Sequence, residues 1–174
     1  MKRWLIAIVA VLLVIIIGVG VAGALLPAEH RASRRLRTKQ SPQTIWDTIN
    51  DHANEPKWRS DVESVVSLGE RDGKPVWREI YKDGNQLTLI TTQSSPPTRM
   101  VRELTDLDGP FSGRWEIDLM PTPEGSSVQI TEVGRVSNPF FRFVSKYVIG
   151  HTTAIERYLI GLAEKFGEPG KFGP

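Results

Sequence analysis

Glu132 and His151 are the residues of this chain whose types and settings best suit acid–base chemistry. Glu132 lies in "VQITEVGRV", where Val128, Ile130, Gly134 and Val136 alternate with Gln129, Thr131 and Arg135. Side chains alternate across a strand, so Glu132 falls on the apolar, inward face. A carboxylate buried there without a partner is costly, so it demands a donor, a water or a ligand. His151 falls on the apolar face of a predicted C-terminal helix, one turn from Tyr147. From there it can bond a carboxylate such as Glu132, or a ligand, although a lone histidine on an apolar face is more often a satisfied core residue. Glu79 is a second carboxylate of interest. It shares strand parity with Trp77 and Tyr81, opposite Val76, Arg78 and Ile80, and the pattern does not say which set is inward.

The densest polar stretch is "DHANEPKWRSDVE", with Asp51, His52, Glu55, Asp61 and Glu63 close together. It lacks the HExxH or HxxEH spacing that sets metal ligands on one helical face. Pro56 disfavours helix at Glu55 and is expected to keep His52 and Glu55 off a common face. The stretch therefore reads as a structural corner, with Trp58 packing at the edge of the core. No G-x-S-x-G elbow occurs, and Gly18, Gly20 and Gly23 lie in an apolar run rather than after a strand. No metal and no nucleotide cofactor is indicated.

These residues need elements to position them. "SPQTIWDTIND" is a short helix, capped by Ser41 and opened by Pro42, with Ile45, Trp46 and Ile49 on one face. "RASRRLRTK" before it is a first strand. Further strand signals cover 62–68, 76–81, 87–92, 99–104, 111–119 and 128–136. They are separated by "RDGK", "KDGN", "SSPP", "DLDG" and "PTPEG", which are hairpin-sized turns, so the sheet is an antiparallel meander. Residues 138–167 read as one long helix, capped by Asn138, started by Pro139 and ended by Gly167. Its apolar face is Val144, Tyr147, Val148, His151, Ile155, Leu159, Leu162 and Phe166. Gly150 within it costs about 1 kcal/mol relative to Ala.

Residues 4–26, "WLIAIVAVLLVIIIGVGVAGALL", carry no charge and are long enough to span a hydrocarbon core as a helix. Lys2 and Arg3 precede the run, Pro27 stops it, and Trp4 sits where an interfacial aromatic belongs. The run reads as a single-pass membrane anchor. The rival is a signal peptide cleaved near "AGA", Ala22 to Ala24, but the run is long for one. The expected organisation is an anchor over 1–27, a domain over 28–167 and a tail over 168–174. Gly20 and Ala24 form one small-xxx-small step, which carries little weight. Lys2 and Arg3 favour an inside N-terminus, and a folded domain translocates regardless of Arg31, Arg34, Arg35, Arg37 and Lys39. The domain is thus expected outside the cytoplasm. A net charge of +2 is not a nucleic-acid footprint, and the basic run at 31–39 suits anionic headgroups instead. The absence of Cys excludes lipid attachment through that residue.

In their order, "SPQTIWDTINDHANEPKWRSDVESV", "PVWREIYKDGNQLTLITT", "GRWEIDL", "ITEVGRVSNPFFRFVSKYVIGHT" and "IERYLIGLAEKFG" make the chain resemble the START-like (SRPBCC) superfamily, nearest its polyketide cyclase/dehydrase branch. The resemblance covers about 31–167. It implies an α+β helix-grip fold: a curved seven-stranded antiparallel sheet wrapped around a long C-terminal helix, enclosing a pocket for an apolar small molecule. Members bind lipids, sterols, polyketides or hormones, and some cyclise or dehydrate polyketides. The family has no shared catalytic motif to carry over. The expected function is a membrane-anchored module binding a hydrophobic or amphipathic, lipid-like molecule, with contacts from Trp77, Glu79, Trp115, Glu132, Tyr147 and His151. One alternative is a cyclase- or dehydratase-like enzyme using Glu132 and His151 as acid and base. Another is a ligand-free interaction domain whose interior is filled by Trp77, Trp115, Phe141 and Tyr147. No protein partner is specified.

Overall fold

The computed structural model describes residues 2–105 and 111–173; the "DLDG" turn lies outside the described residues. Helix α1, Lys2–Ala24, is followed by strand β1, Glu29–Thr38. Helix α2, Pro42–Asn50, starts as its cap predicts: the Thr44 amide donates to Ser41 Oγ at 3.1 Å. A 3-10 turn over His52–Lys57 leads into β2, Val62–Arg71. Then come β3, Lys74–Tyr81; β4, Gln86–Ser95; β5, Arg99–Leu104; β6, Phe111–Thr122; and β7, Gly125–Val136. The remaining elements are α3, Pro139–Val144; α4, Thr153–Lys165; and β8, Phe172–Gly173.

All strands join one antiparallel sheet, ordered β2-β3-β4-β5-β6-β7-β1-β8. Strands β2 through β7 pair in chain order, and β1 closes the series by pairing along β7 from Glu29↔Arg135 to Thr38↔Ser126. The two residues of β8 pair with Arg35 and Leu36, adding an eighth strand to the seven read from the pattern. The architecture is α+β, with α4 and α2 packed on one face of the sheet. Leu36, Ile117, Leu119, Val128 and Ile130 point to that face and meet Ile45 and Ile49 of α2 and Ile155, Leu159 and Leu162 of α4. Each such side chain, fully buried, contributes about 1.5–3 kcal/mol.

The C-terminal helix is not continuous. Residues Ser145–Ile149 form a π turn, closed by the Gly150 amide on the Ser145 carbonyl at 2.9 Å. Gly150 then adopts φ 85 and ψ 136, a conformation open to glycine and strained for other residues. The chain leaves the helix axis there and restarts at α4. The expected apolar stripe is therefore split. Ile155, Leu159 and Leu162 are in the core, whereas Tyr147 and Val148 are 61 % and 72 % exposed, as is Ile149 beside them at 56 %.

Candidate functional site

The concave face carries two clusters of ionisable side chains. The first begins at the 3-10 turn. With three residues per turn, positions i and i+3 eclipse, so His52 stands over Glu55 with Nδ1 3.1 Å from Oε2. Pro56 lies inside this turn and does not separate them, contrary to the sequence expectation. Arg59, one step further, donates from Nη1 to Glu55 Oε1 at 2.7 Å, and the same nitrogen is 3.0 Å from Glu79 Oε1. Arg59 Nη2 donates to the Tyr81 hydroxyl at 3.1 Å, which itself donates to Glu79 Oε2 at 2.5 Å. Inward parity on β3 thus belongs to Trp77, Glu79 and Tyr81. The Trp77 ring packs on His52, centroids 4.1 Å apart. From β5, Arg102 donates to the Ile49 carbonyl at 2.8 Å and anchors the end of α2.

This is a buried charge network: Glu55, Glu79 and Arg59 are 1 %, 5 % and 6 % exposed. Burial pushes the Glu55 carboxyl up, but the His52 hydrogen bond and the Arg59 and Arg102 charges outweigh it, and its pKa lies below the usual value. Burial likewise opposes the charge on Arg59, yet Glu79, Tyr81 and Glu55 hold its pKa above the ordinary arginine value. The Tyr81 phenol is pushed up by burial and by Glu79. Burial and the Glu55 charge do the same to Tyr158. Among the described residues, Arg59 Nε, Arg102 Nε and the Tyr158 hydroxyl are buried here without a hydrogen-bond partner, although Arg59 Nε lies 3.8 Å from Asp61 Oδ1.

The second cluster spans β1, β6, β7 and the helix break. Glu132 faces Trp115 across the β6–β7 ladder and Ala32 across β1–β7. Trp115 Nε1 donates to Glu132 Oε2 at 2.8 Å, and His30 Nε2 lies 2.8 Å from Glu132 Oε1. Gly134, opposite His30, leaves room for that imidazole. The His30 ring stacks on His151 at 3.9 Å, tilted by 20°. His151 Nδ1 is 3.2 Å from Ser145 Oγ. Burial lowers the pKa of His151, the nearby His30 lowers it further, and Glu132 opposes both. Glu132 and His30 share a hydrogen bond, while His151 touches His30 only by stacking and bonds Ser145 instead.

Tyr158 of α4 stands between the clusters. Its ring meets Trp58 and Trp115 edge-on at 5.2 Å and 5.6 Å, and the Arg59 guanidinium lies 5.2 Å from its centroid. Of the residues singled out from sequence, Trp115, Glu132 and His151 come together, and Trp77 and Glu79 meet in the other cluster. Tyr147 belongs to neither; it packs on Phe143 and beneath Lys146 at the surface. Sequence reasoning missed His30, Arg59 and Tyr158 and set His52 and Glu55 aside. The i, i+3 and i, i+4 spacing of His52, Glu55 and Arg59 was the available signal.

A cleft of about 350 Å³ opens beside the first cluster, lined by Asn50, His52, Lys74, Trp77 and Thr91 among others. A second, of about 730 Å³, lies at the β8 edge between Arg35, Arg37, Lys39, Glu168 and Phe172.

The model of the family described as polyketide cyclase / dehydrase and lipid transport matches residues 30–166. The chain belongs to that family. Solved structures share the fold. A Thermobifida fusca protein solved by solution NMR is 18 % identical, with TM-score 0.60 over 81 % of this chain and 94 % of its own. A Thermus thermophilus protein known from a crystal structure is 20 % identical, with TM-score 0.59 over 79 % of this chain and 95 % of its own. The di-domain ARO/CYC StfQ from the steffimycin biosynthetic pathway is 11 % identical, with TM-score 0.58 over 80 % of this chain and 52 % of StfQ. No curated protein matches the chain. Membership in the polyketide cyclase/dehydrase and lipid transport family supports a module for a hydrophobic small molecule. Helix α1 is long and apolar enough to cross a membrane, as a span or as a signal sequence.

Proposed function

We propose that the protein is a membrane-anchored module that binds a hydrophobic or amphipathic, lipid-like molecule against the concave face of its sheet. The observation that carries this reading is a set of buried donors without a hydrogen-bond acceptor among the described residues, Arg102 Nε, Tyr158 OH and Arg59 Nε (the last near Asp61), beside an apolar core. A buried donor without an acceptor costs about 1–3 kcal/mol, and an oxygen of a ligand headgroup restores that loss on binding. Apolar burial at about 25 cal/mol per Å² supplies the bulk of the affinity, and the polar trio sets orientation. A ligand would enter from the His52–Trp77 cleft, whose lining stops short of the three donors, so binding requires His52 and Trp77 to move aside. The 23 residues of α1, about 35 Å of helix, serve as the anchor, with the domain outside the cytoplasm. Native mass spectrometry of the full chain released from membranes into detergent tests the reading. A lipid-sized adduct on the folded chain is expected, and a chain free of adducts under the gentlest release contradicts it.

A second reading is favoured by the 2.8 Å contact of Glu132 with His30 and the stacking of His30 on His151. In it, this cluster moves protons during cyclisation or dehydration of a polyketide-like substrate. Glu132→Leu with His151→Phe discriminates: turnover of such a substrate that survives both changes excludes the mechanism.

A further inference from the structure

The apolar residues released by the break at Gly150 do not scatter over the surface. Phe140, Phe141, Tyr147, Val148 and Ile149 are all exposed, and Phe141 packs on the exposed Phe111 at the start of β6, centroids 5.6 Å apart. They stand at one end of the sheet, the end where β1 begins and β7 finishes. That is also where α1 arrives. Helix α3 lies against the last turns of α1, so closely that a Cβ on Gly23 would collide with the Pro139 carbonyl. Arg142 ties the junction together. It donates to the Val136 carbonyl at 2.8 Å, to the Ser137 carbonyl at 2.9 Å and to the Leu26 carbonyl at 3.4 Å. The α3–π segment is thereby held beside the final turns of a helix that exposes apolar side chains along its length.

Basic groups frame this surface. Arg31 and Arg135 project from the same sheet end with side chains 63 % exposed, paired with Glu116 at 3.5 Å and Glu29 at 3.6 Å, and Lys146 lies over the Tyr147 ring at 5.3 Å. Aromatic and aliphatic side chains continuous with an apolar helix, with basic side chains at their margin, match the outer layer of a bilayer: acyl boundary below, headgroups around. A soluble partner protein would not require the patch to continue the surface of α1.

We infer that Phe140–Ile149 is an interfacial wedge that lies in the same leaflet through which α1 leaves the membrane. The wedge seats the domain on the bilayer and holds the His30–Glu132–His151 cluster at the headgroup layer. This inference rests on the membrane-anchored reading of α1.

The chain has no cysteine, so a single introduced thiol reports one position. Val148→Cys and, at the opposite end of the sheet, Glu124→Cys are labelled with an environment-sensitive fluorophore. The full chain is reconstituted in vesicles of phosphatidylcholine and phosphatidylglycerol. The wedge predicts blue-shifted emission at position 148, loss of quenching by aqueous iodide and strong quenching by nitroxide-bearing lipids about 5–10 Å below the headgroups. Position 124 stays water-exposed. Equal iodide quenching at both positions, in chains that resist carbonate extraction, overturns the wedge and leaves the anchor standing. Protection at 148 without quenching by nitroxide lipids means that protein covers the patch, and also overturns it. Release of the chain by carbonate removes the anchored reading itself, and the inference with it.

Discussion

Arg59 links the carboxylates of the buried network. It neutralises Glu55 and Glu79 while being 6 % exposed. Arg59→Met leaves two carboxylates buried without their cation, a loss of about 3–5 kcal/mol by chemical denaturation. Acid acts on the same network. The folded pKa of Glu55 lies below its usual 4.5, so its contribution is present above that value and is lost as pH falls through the lower, folded pKa. His151 acts in the same direction by the opposite route. Its folded pKa lies below 6.5, so the unfolded chain binds the proton first, and stability falls as pH drops from 6.5. Denaturation midpoints measured from pH 7 down to about pH 2 should decline in two stages, one below 6.5 that is absent in His151→Phe and one below 4.5. Alternation alone showed that Glu132 points inward. It did not reveal His30 as its partner, because that contact joins residues 102 positions apart in the chain. Nor did the linear order of DHANEPKW reveal its network, because proximity there depends on a 3-10 turn rather than the α-helix that Pro56 disfavours.

At the scale of elements, alternation and capping located β1 through β7 and the starts of α2 and α3, but not the two-residue β8. They failed at Gly150, where an apolar 3/4 spacing continues through a segment whose backbone leaves the helix. The spacing persists because Tyr147 and Val148 are apolar for a surface they present, not for the core. Gly150→Ala separates the two accounts by its sign. In a continuous helix, alanine would raise stability by about 1 kcal/mol. At φ 85 and ψ 136 it should instead lower stability by about 1–3 kcal/mol, read as a fall in the thermal midpoint.

For the whole molecule, a meander of alternating strands and an amphipathic final helix were enough to read the α+β class. Helix α1 stood out by length and composition. The interior's chemistry was less legible, since it depends on which buried donors remain unbonded once everything else is paired. Tyr158 tests that point. Its hydroxyl has no hydrogen-bond partner among the described residues, so Tyr158→Phe should fold and be more stable by up to about 1–3 kcal/mol. The comparison of wild type with Tyr158→Phe by native mass spectrometry, both as full chains released from the same membranes, addresses ligand binding most directly. A lipid-sized adduct on the wild-type chain that is lost or strongly reduced in the variant is the predicted result. An adduct retained equally by both chains would place the lipid along α1 rather than on the sheet, and would contradict the assignment of the interior as its site.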